Sequence, residues 1–135
     1  MHTVSAASFA EAVREGVAIL RFQDQQVERA CREARHRIIA GYSVPVVNTL
    51  LFASEIGEAL CRDFPGSPFA ATYYDDRTAE RVWGLRSPRF DVGRVAAACG
   101  GGGHPRASGF RSSTDNLVMV DGALRPMSAV EVRPA

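Results

Sequence analysis

The sequence predicts an α/β fold: a small mixed β-sheet flanked by helices, preceded by a long N-terminal linker helix. Three observations point there. Through about residue 40, apolar side chains recur at helical spacing. From about residue 42, short apolar runs of strand length alternate with helical ones. Finally, 46% apolar and 23% charged residues in a chain of 135 suit one packed core and argue against disorder. The chain divides accordingly into a linker helix over residues 1–41 and a globular part over residues 42–135.

In chain order, Ser8 with Glu11 forms a capping box that starts the first helix. Apolar positions follow at Phe9, Val13, Val17, Leu20, Val27, Cys31, Ala34 and Ile38. From Val13 onward this is a heptad-like seam whose one missing member is Asp24. Gly41 is the natural stop. A helix over residues 8–40 would be roughly 48 Å long at 1.5 Å per residue. The rest of the chain cannot cover that length. The alternative is two shorter helices broken near Gln23–Gln25. Either arrangement leaves apolar surface in want of a partner, so a homodimer through this helix is expected.

The second part opens with a short apolar strand, Val44-Pro-Val-Val-Asn48. Ser54 starts a helix that runs to about Phe64, with Ile56, Leu60 and Phe64 on one face and Pro65-Gly66 ending it. Phe69 to Tyr74 is a strand, Asp75–Thr78 a turn, and Glu80 to Ser87 a second strand, together an antiparallel hairpin. Asp91 caps a helix carrying Val92, Val95, Ala96 and Cys99, and Gly100 to Gly103 stop it. Leu117–Val120 reads as a strand leading into a turn at Asp121-Gly122.

Several function classes drop out. No stretch approaches the 18 apolar residues of a membrane span. The start MHTVSAASFAEAV lacks the basic and apolar regions of a secretory signal. A net charge of +1 gives no polybasic tail for nucleic acid. Cys31, Cys61 and Cys99 form neither a disulfide framework nor a zinc ribbon, so a reducing, cytoplasmic location fits. His2, His36 and His104 are scattered. All 16 basic residues are arginine. Coding bias explains that, and so does selection for forked phosphate donors, so only arginines placed by a motif carry weight.

The informative segment is GGGGHPRASGF, residues 100–110. One glycine suffices to end a helix. Four in succession suit close approach of a ligand, with several N–H groups converging on an anion. The histidine behind them can donate to a phosphate or stack on a base. The plain alternative is a flexible helix-to-strand loop. Upstream, WGLRSPRFDV at residues 83–92 ends a strand in Arg86-Ser87. An arginine beside a serine hydroxyl suits a phosphate or sugar edge. By itself, Arg86 could equally be a surface arginine paired with a carboxylate such as Asp91.

The arrangement of strand, L-R-S, D-V, helix, G-G-G-G-H and A-small-G-F resembles the C-terminal, DHH-associated domain of the DHH-family phosphoesterases. That family includes oligoribonucleases, cyclic-dinucleotide phosphodiesterases and a single-strand exonuclease. The likeness extends upstream to VPVVN and the helix at Ser54, and the first helix resembles the linker between the two lobes of those enzymes. It covers about residues 8–110. A related domain ends alanyl-tRNA synthetases. There are departures: Gly84 stands where the family has serine, Cys99 replaces an aromatic, and Ser108 replaces an alanine. The chain has no D-H-H and no Asp and His cluster for two metals. Asp75-Asp76 is its one acidic pair and reads as turn chemistry.

The resemblance therefore implies the substrate-binding lobe of such an enzyme without its cutting lobe. Arg86, Ser87, Gly100, Gly101, Gly102, Gly103 and His104 are the implied contacts to a short oligonucleotide or (cyclic) dinucleotide. No catalytic residue, metal ligand or cofactor is expected in this chain; manganese or magnesium belongs to the absent lobe, supplied in cis or in trans. The competing readings are a free-standing nucleic-acid-binding module, with Trp83, Phe90 and Phe110 among Arg86, Arg89, Arg94, Arg106 and Arg111, and a remnant that only dimerises.

Overall fold

A computed structural model describes residues 5–113, 117–120 and 123–126. Helix α1 spans Ala6–Arg32 and is capped by Ser5, whose hydroxyl accepts the Ser8 N–H at 3.1 Å. The cap is thus Ser5, not the Ser8–Glu11 box. The helix runs unbroken past Gln23–Gln25.

It also ends earlier than residue 40. The Glu33 N–H turns back onto the carbonyls of Ala30 and Cys31. Arg35–Ile39 then forms strand β1, which pairs antiparallel with β2, Tyr42–Asn48. Ala40 (φ 52) and Gly41 (φ 88) join them. Two left-handed residues in succession make the hairpin turn that matches strand twist. Gly41 is therefore a hairpin residue and not a helix stop. The reason lies in Ile39, which is fully buried once β1 pairs with β2. A helix projecting into water could not cover that β-branched side chain. The helical spacing at Ala34 and Ile38 is coincidental.

The remaining elements lie near their expected places. Helix α2 is Ala53–Asp63, β3 is Ala70–Asp75, β4 is Glu80–Arg86, and α3 is Val92–Ala98. Asp91 caps α3 through Oδ1, which accepts the Arg94 N–H. Three further strands have no counterpart in the sequence reading: β5 (Gly102–Gly103), β6 (Ala107–Ser113) and β8 (Ala123–Pro126). The expected strand at Leu117–Val120 is β7, paired with β8. The turn expected at Asp121-Gly122 lies outside the described residues.

Six strands form one mixed sheet in the order β1-β2-β3-β4-β6-β5. Only β2 and β3 run parallel, with α2 as their crossover. Both faces are covered. Val44, Val46, Ala71, Trp83, Leu85 and Phe110 pack with Val92, Val95 and Ala96 of α3. Val47 and Ala70 face Ile56 and Leu60 of α2, against which Val27, Ala30 and Cys31 of α1 rest. In the first cluster Trp83 stacks on Phe110 with ring centroids 5.7 Å apart, and its Nε1 donates to Ser112 Oγ at 3.0 Å, so the indole's one polar atom is satisfied.

Of the acidic pair, Asp76 builds the turn between β3 and β4 as expected, whereas Asp75 is the last residue of β3, in register with Arg81. Asp76 Oδ1 accepts from the Thr78 N–H, the Thr78 hydroxyl and the Glu80 N–H, and these bonds hold its carboxyl down to about 2. Arg81 bridges Asp75 and Arg111 bridges Asp76, each at 2.8 Å. Only the C-terminal end of α1 packs on the domain. Phe9, Val13, Val17 and Leu20 are exposed along the projecting part, Phe9 to 66%. Among the described residues no helix is long and apolar enough to cross a membrane.

Candidate functional site

Arg86 ends β4 and lies across α2. Three α2 residues on one face, spaced at three and four, accommodate it. Ser54 Oγ accepts from its Nη2 at 2.7 Å. Gly57 leaves room for its stem: a Cβ there would sit 2.6 Å from Arg86 Cγ. The Cys61 thiol lies 3.4 Å from its carbonyl oxygen, to which it donates. Burial raises the Cys61 thiol above its ordinary range. Among the described residues Arg86 forms no salt bridge, so the expected alternative of a carboxylate partner such as Asp91 is not observed.

Ser87 behaves differently from the sequence expectation. Its hydroxyl donates to the Pro68 carbonyl at 2.9 Å and accepts the N–H groups of Arg89 and Phe90 at 3.2 and 2.8 Å. The residue is buried. Its oxygen builds the turn after β4 and is fully engaged by the protein.

The four glycines also divide by task. The Gly100 N–H returns to Ala97 O at 3.1 Å and the Gly101 N–H to Ala96 O at 2.7 Å, a Schellman closure of α3. Gly100 takes φ +88 to make it. Gly101 packs on β6, where a Cβ would meet the Gly109 carbonyl oxygen and Phe110. Gly103, at φ +144, lies against Ala107 and Ser108. Gly102 alone of the four has neither a positive φ nor a neighbour within 4 Å of a Cβ. The expected nest of free N–H groups is thus reduced: two of them close a helix, and the His104 N–H donates to Ala107 O at 2.8 Å. His104 itself is exposed.

Strand register brings the two sequence signatures together. Arg86 pairs with Ala107, and the Ser87 N–H donates to Arg106 O at 3.2 Å. The end of β4 therefore abuts the turn that follows His104. Beside this junction lies an open cleft of about 430 Å³, lined by Glu58, Cys61, Arg62, Arg86, Ser87, Pro88 and Arg106. The glycines and His104 are not in its lining. Arg62 escapes a sequence reading of the site, because it is one of several α2 surface residues, and Arg106 enters only the competing nucleic-acid-binding reading, as one of many arginines. The H-P-R run placed Arg106 next to the motif but carried no further signal. Among the described residues no group of three or more His, Cys, Asp or Glu comes together to hold a metal.

No family model matches the chain, and no curated protein matches its sequence. Among solved structures it is similar to the pGpG-specific phosphodiesterase PggH from Vibrio cholerae, with a TM-score of 0.55 and 14% identity over 77% of this chain and 38% of that one. An uncharacterized protein from Helicobacter pylori G27 aligns at TM-score 0.47 and 18% identity over 65% of this chain and 24% of its own. The chain thus spans about 38% of the length of the phosphodiesterase. At this identity the likeness is one of fold, and the fold is one found as part of a larger phosphodiesterase.

Proposed function

We propose that this chain is the substrate-binding lobe of a DHH-type phosphoesterase. It holds a short oligonucleotide or a (cyclic) dinucleotide, and a metal-bearing lobe in cis or in trans does the cutting. The observation that carries the reading is the junction of β4 with the 104–107 turn. There the end of β4, whose Arg86 has no carboxylate partner among the described residues, pairs with the start of β6, three residues past the exposed His104, and β6 pairs in turn with Gly102–Gly103. The fold likeness to part of a phosphodiesterase supports it. In this reading Arg86 is the forked phosphate donor, and His104 and the Gly102 edge receive the nucleotide. The Ser87 hydroxyl serves the turn alone.

The test is a titration of the chain with pApA, followed through the backbone amides of Gly102 to His104. Without the second lobe, binding should be high micromolar to millimolar, about 4 to 6 kcal/mol. Arg86→Ala removes a charge-assisted contact worth roughly 1.5–3 kcal/mol and should weaken binding ten-fold or more. Lysine at position 86 should restore only part, since it lacks the fork. Wild-type affinity in Arg86→Ala, or amides that stay still while others move, would place the ligand elsewhere.

A further inference from the structure

The cleft beside the junction holds more positive charge than gripping a phosphodiester needs. Three guanidinium-bearing residues line it, Arg62 from α2, Arg86 from β4 and Arg106 from the 104–107 turn, against the single carboxylate of Glu58. Elsewhere Arg32 pairs with Glu28, Arg81 with Asp75, and Arg111 with Asp76 and Glu80. The three cleft arginines have no salt bridge among the described residues. Arg86 donates to the Ser54 hydroxyl and Arg106 to the Phe90 carbonyl at 2.9 Å, both neutral acceptors. Glu58 and Arg62 stand i,i+4 on α2, a spacing that favours pairing, yet no bridge forms between them. The lining therefore carries two positive charges beyond Glu58. At about 430 Å³ the cleft falls within the size range of small-ligand sites, roughly 300–1,000 Å³.

We infer that this cleft is a subsite for a dianionic phosphate monoester, the 5′-terminal phosphate of a linear substrate, with Arg62 and Arg106 as its specificity-determining residues. The inference rests on the proposed function and adds to it a choice between substrates. A phosphodiester carries one negative charge, whereas a terminal phosphate carries close to two at pH 7. Two excess positive charges complement the second and favour a linear 5′-phosphorylated dinucleotide over a cyclic one, which has no terminal phosphate. Forked guanidinium groups suit the three oxygens that a monoester presents. Pro88 and the Cys61 side chain supply the apolar remainder of the wall.

The experiment compares pApA, its dephosphorylated form ApA, cyclic di-AMP and AMP, titrated into the full chain at fixed low ionic strength, because exposed charges are screened by salt. Wild type should bind pApA about ten-fold tighter than ApA or the cyclic form. In Arg62→Gln and Arg106→Gln that preference should fall to about two-fold or less, with ApA affinity unchanged. Both side chains are exposed, so neither change should unfold the chain, and a thermal melt on each confirms it. Equal binding of pApA and ApA by wild type overturns the inference while leaving the proposed function standing. If neither dinucleotide binds, the proposed function falls and AMP decides the subsite. AMP binding that is lost in Arg62→Gln and Arg106→Gln upholds it, and AMP that fails to bind, or binds both variants like wild type, overturns it.

Discussion

Two neighbouring glycines of identical composition should respond in opposite ways to the same methyl group. At Gly101 an added Cβ would lie 2.1 Å from the Gly109 carbonyl oxygen and 2.7 Å from Phe110 Cα. Both are backbone of β6, a strand paired along its length with β4, so neither can swing away. Overpacking of this kind costs roughly 1–3 kcal/mol. Displacing the Gly101 N–H from Ala96 O adds about 1 kcal/mol. Gly101→Ala should therefore lose about 2–4 kcal/mol, which lowers Tm by roughly 10 °C for a domain of this size. At Gly102 nothing lies within 4 Å and φ is ordinary. There alanine should leave stability unchanged or raise it by about 0.4–1 kcal/mol, through the smaller entropy of the unfolded chain. Denaturation of the two variants side by side reads the difference, and a pApA titration of the stable Gly102→Ala protein reads the function. If Gly102→Ala proves as unstable as Gly101→Ala, the assignment of packing to one glycine and openness to the other is wrong. If Gly102→Ala is stable but binds pApA like wild type, the open edge is not where the ligand approaches.

Three other outcomes are expected. Asp76→Ala should lower Tm at neutral pH. The Asp76 carboxyl is depressed in the folded state to about 2, so its stabilisation is present above the ordinary carboxylate range and is lost as pH falls toward 2. The gap between wild type and variant should close over about pH 4 to 2, and a gap independent of pH would locate the loss elsewhere. The projecting part of α1, with Phe9, Val13, Val17 and Leu20 exposed, is proposed to pair two copies of the chain. Sedimentation at micromolar concentration should show dimers in wild type and monomers in Val17→Glu and Leu20→Glu, and a monomeric wild type removes the pairing. Finally, the chain by itself should release no product from pApA in the presence of manganese, as followed by chromatography. Turnover that persists through purification and disappears in His104→Ala would instead place a cutting centre here.

Local signals were legible because local physics makes them. The Asp91 cap, the Asp76 turn, the β3–β4 hairpin and the glycine stop after α3 each depend on residues a few positions apart. The L-R-S and glycine–histidine segments could be singled out for the same reason, and register then set Arg86 opposite Ala107, just past His104, with β6 between β4 and Gly102–Gly103. The C-terminal limit of α1 was not legible. Ala34 and Ile38 continue the helical spacing, and only pairing with β2 buries Ile39 and turns Arg35–Ile39 into a strand. Strand β6 was missed because Ala-Ser-Gly-Phe-Arg-Ser-Ser is weak in strand formers and is held by its two neighbours in the sheet.

The division of labour within the site belongs to tertiary structure alone. Sequence marks four equivalent glycines; contact with Gly109 and Phe110 makes Gly101 a packing residue and leaves Gly102 open. Sequence places a hydroxyl beside Arg86; the approach of Pro68 and the chain turn at Arg89–Phe90 engage it. Ser54, Gly57 and Cys61 lie about thirty residues from Arg86, and no spacing rule links them until α2 packs on the sheet. The same packing puts Arg62 and Arg106 in the lining of one cleft. By itself, then, the sequence determined α2, α3, the Asp76 turn and which residue types could grip phosphate, but not where α1 gives way to a strand. Folding decided which of those groups still face solvent, because a polar group's availability depends on partners brought to it from distant parts of the chain.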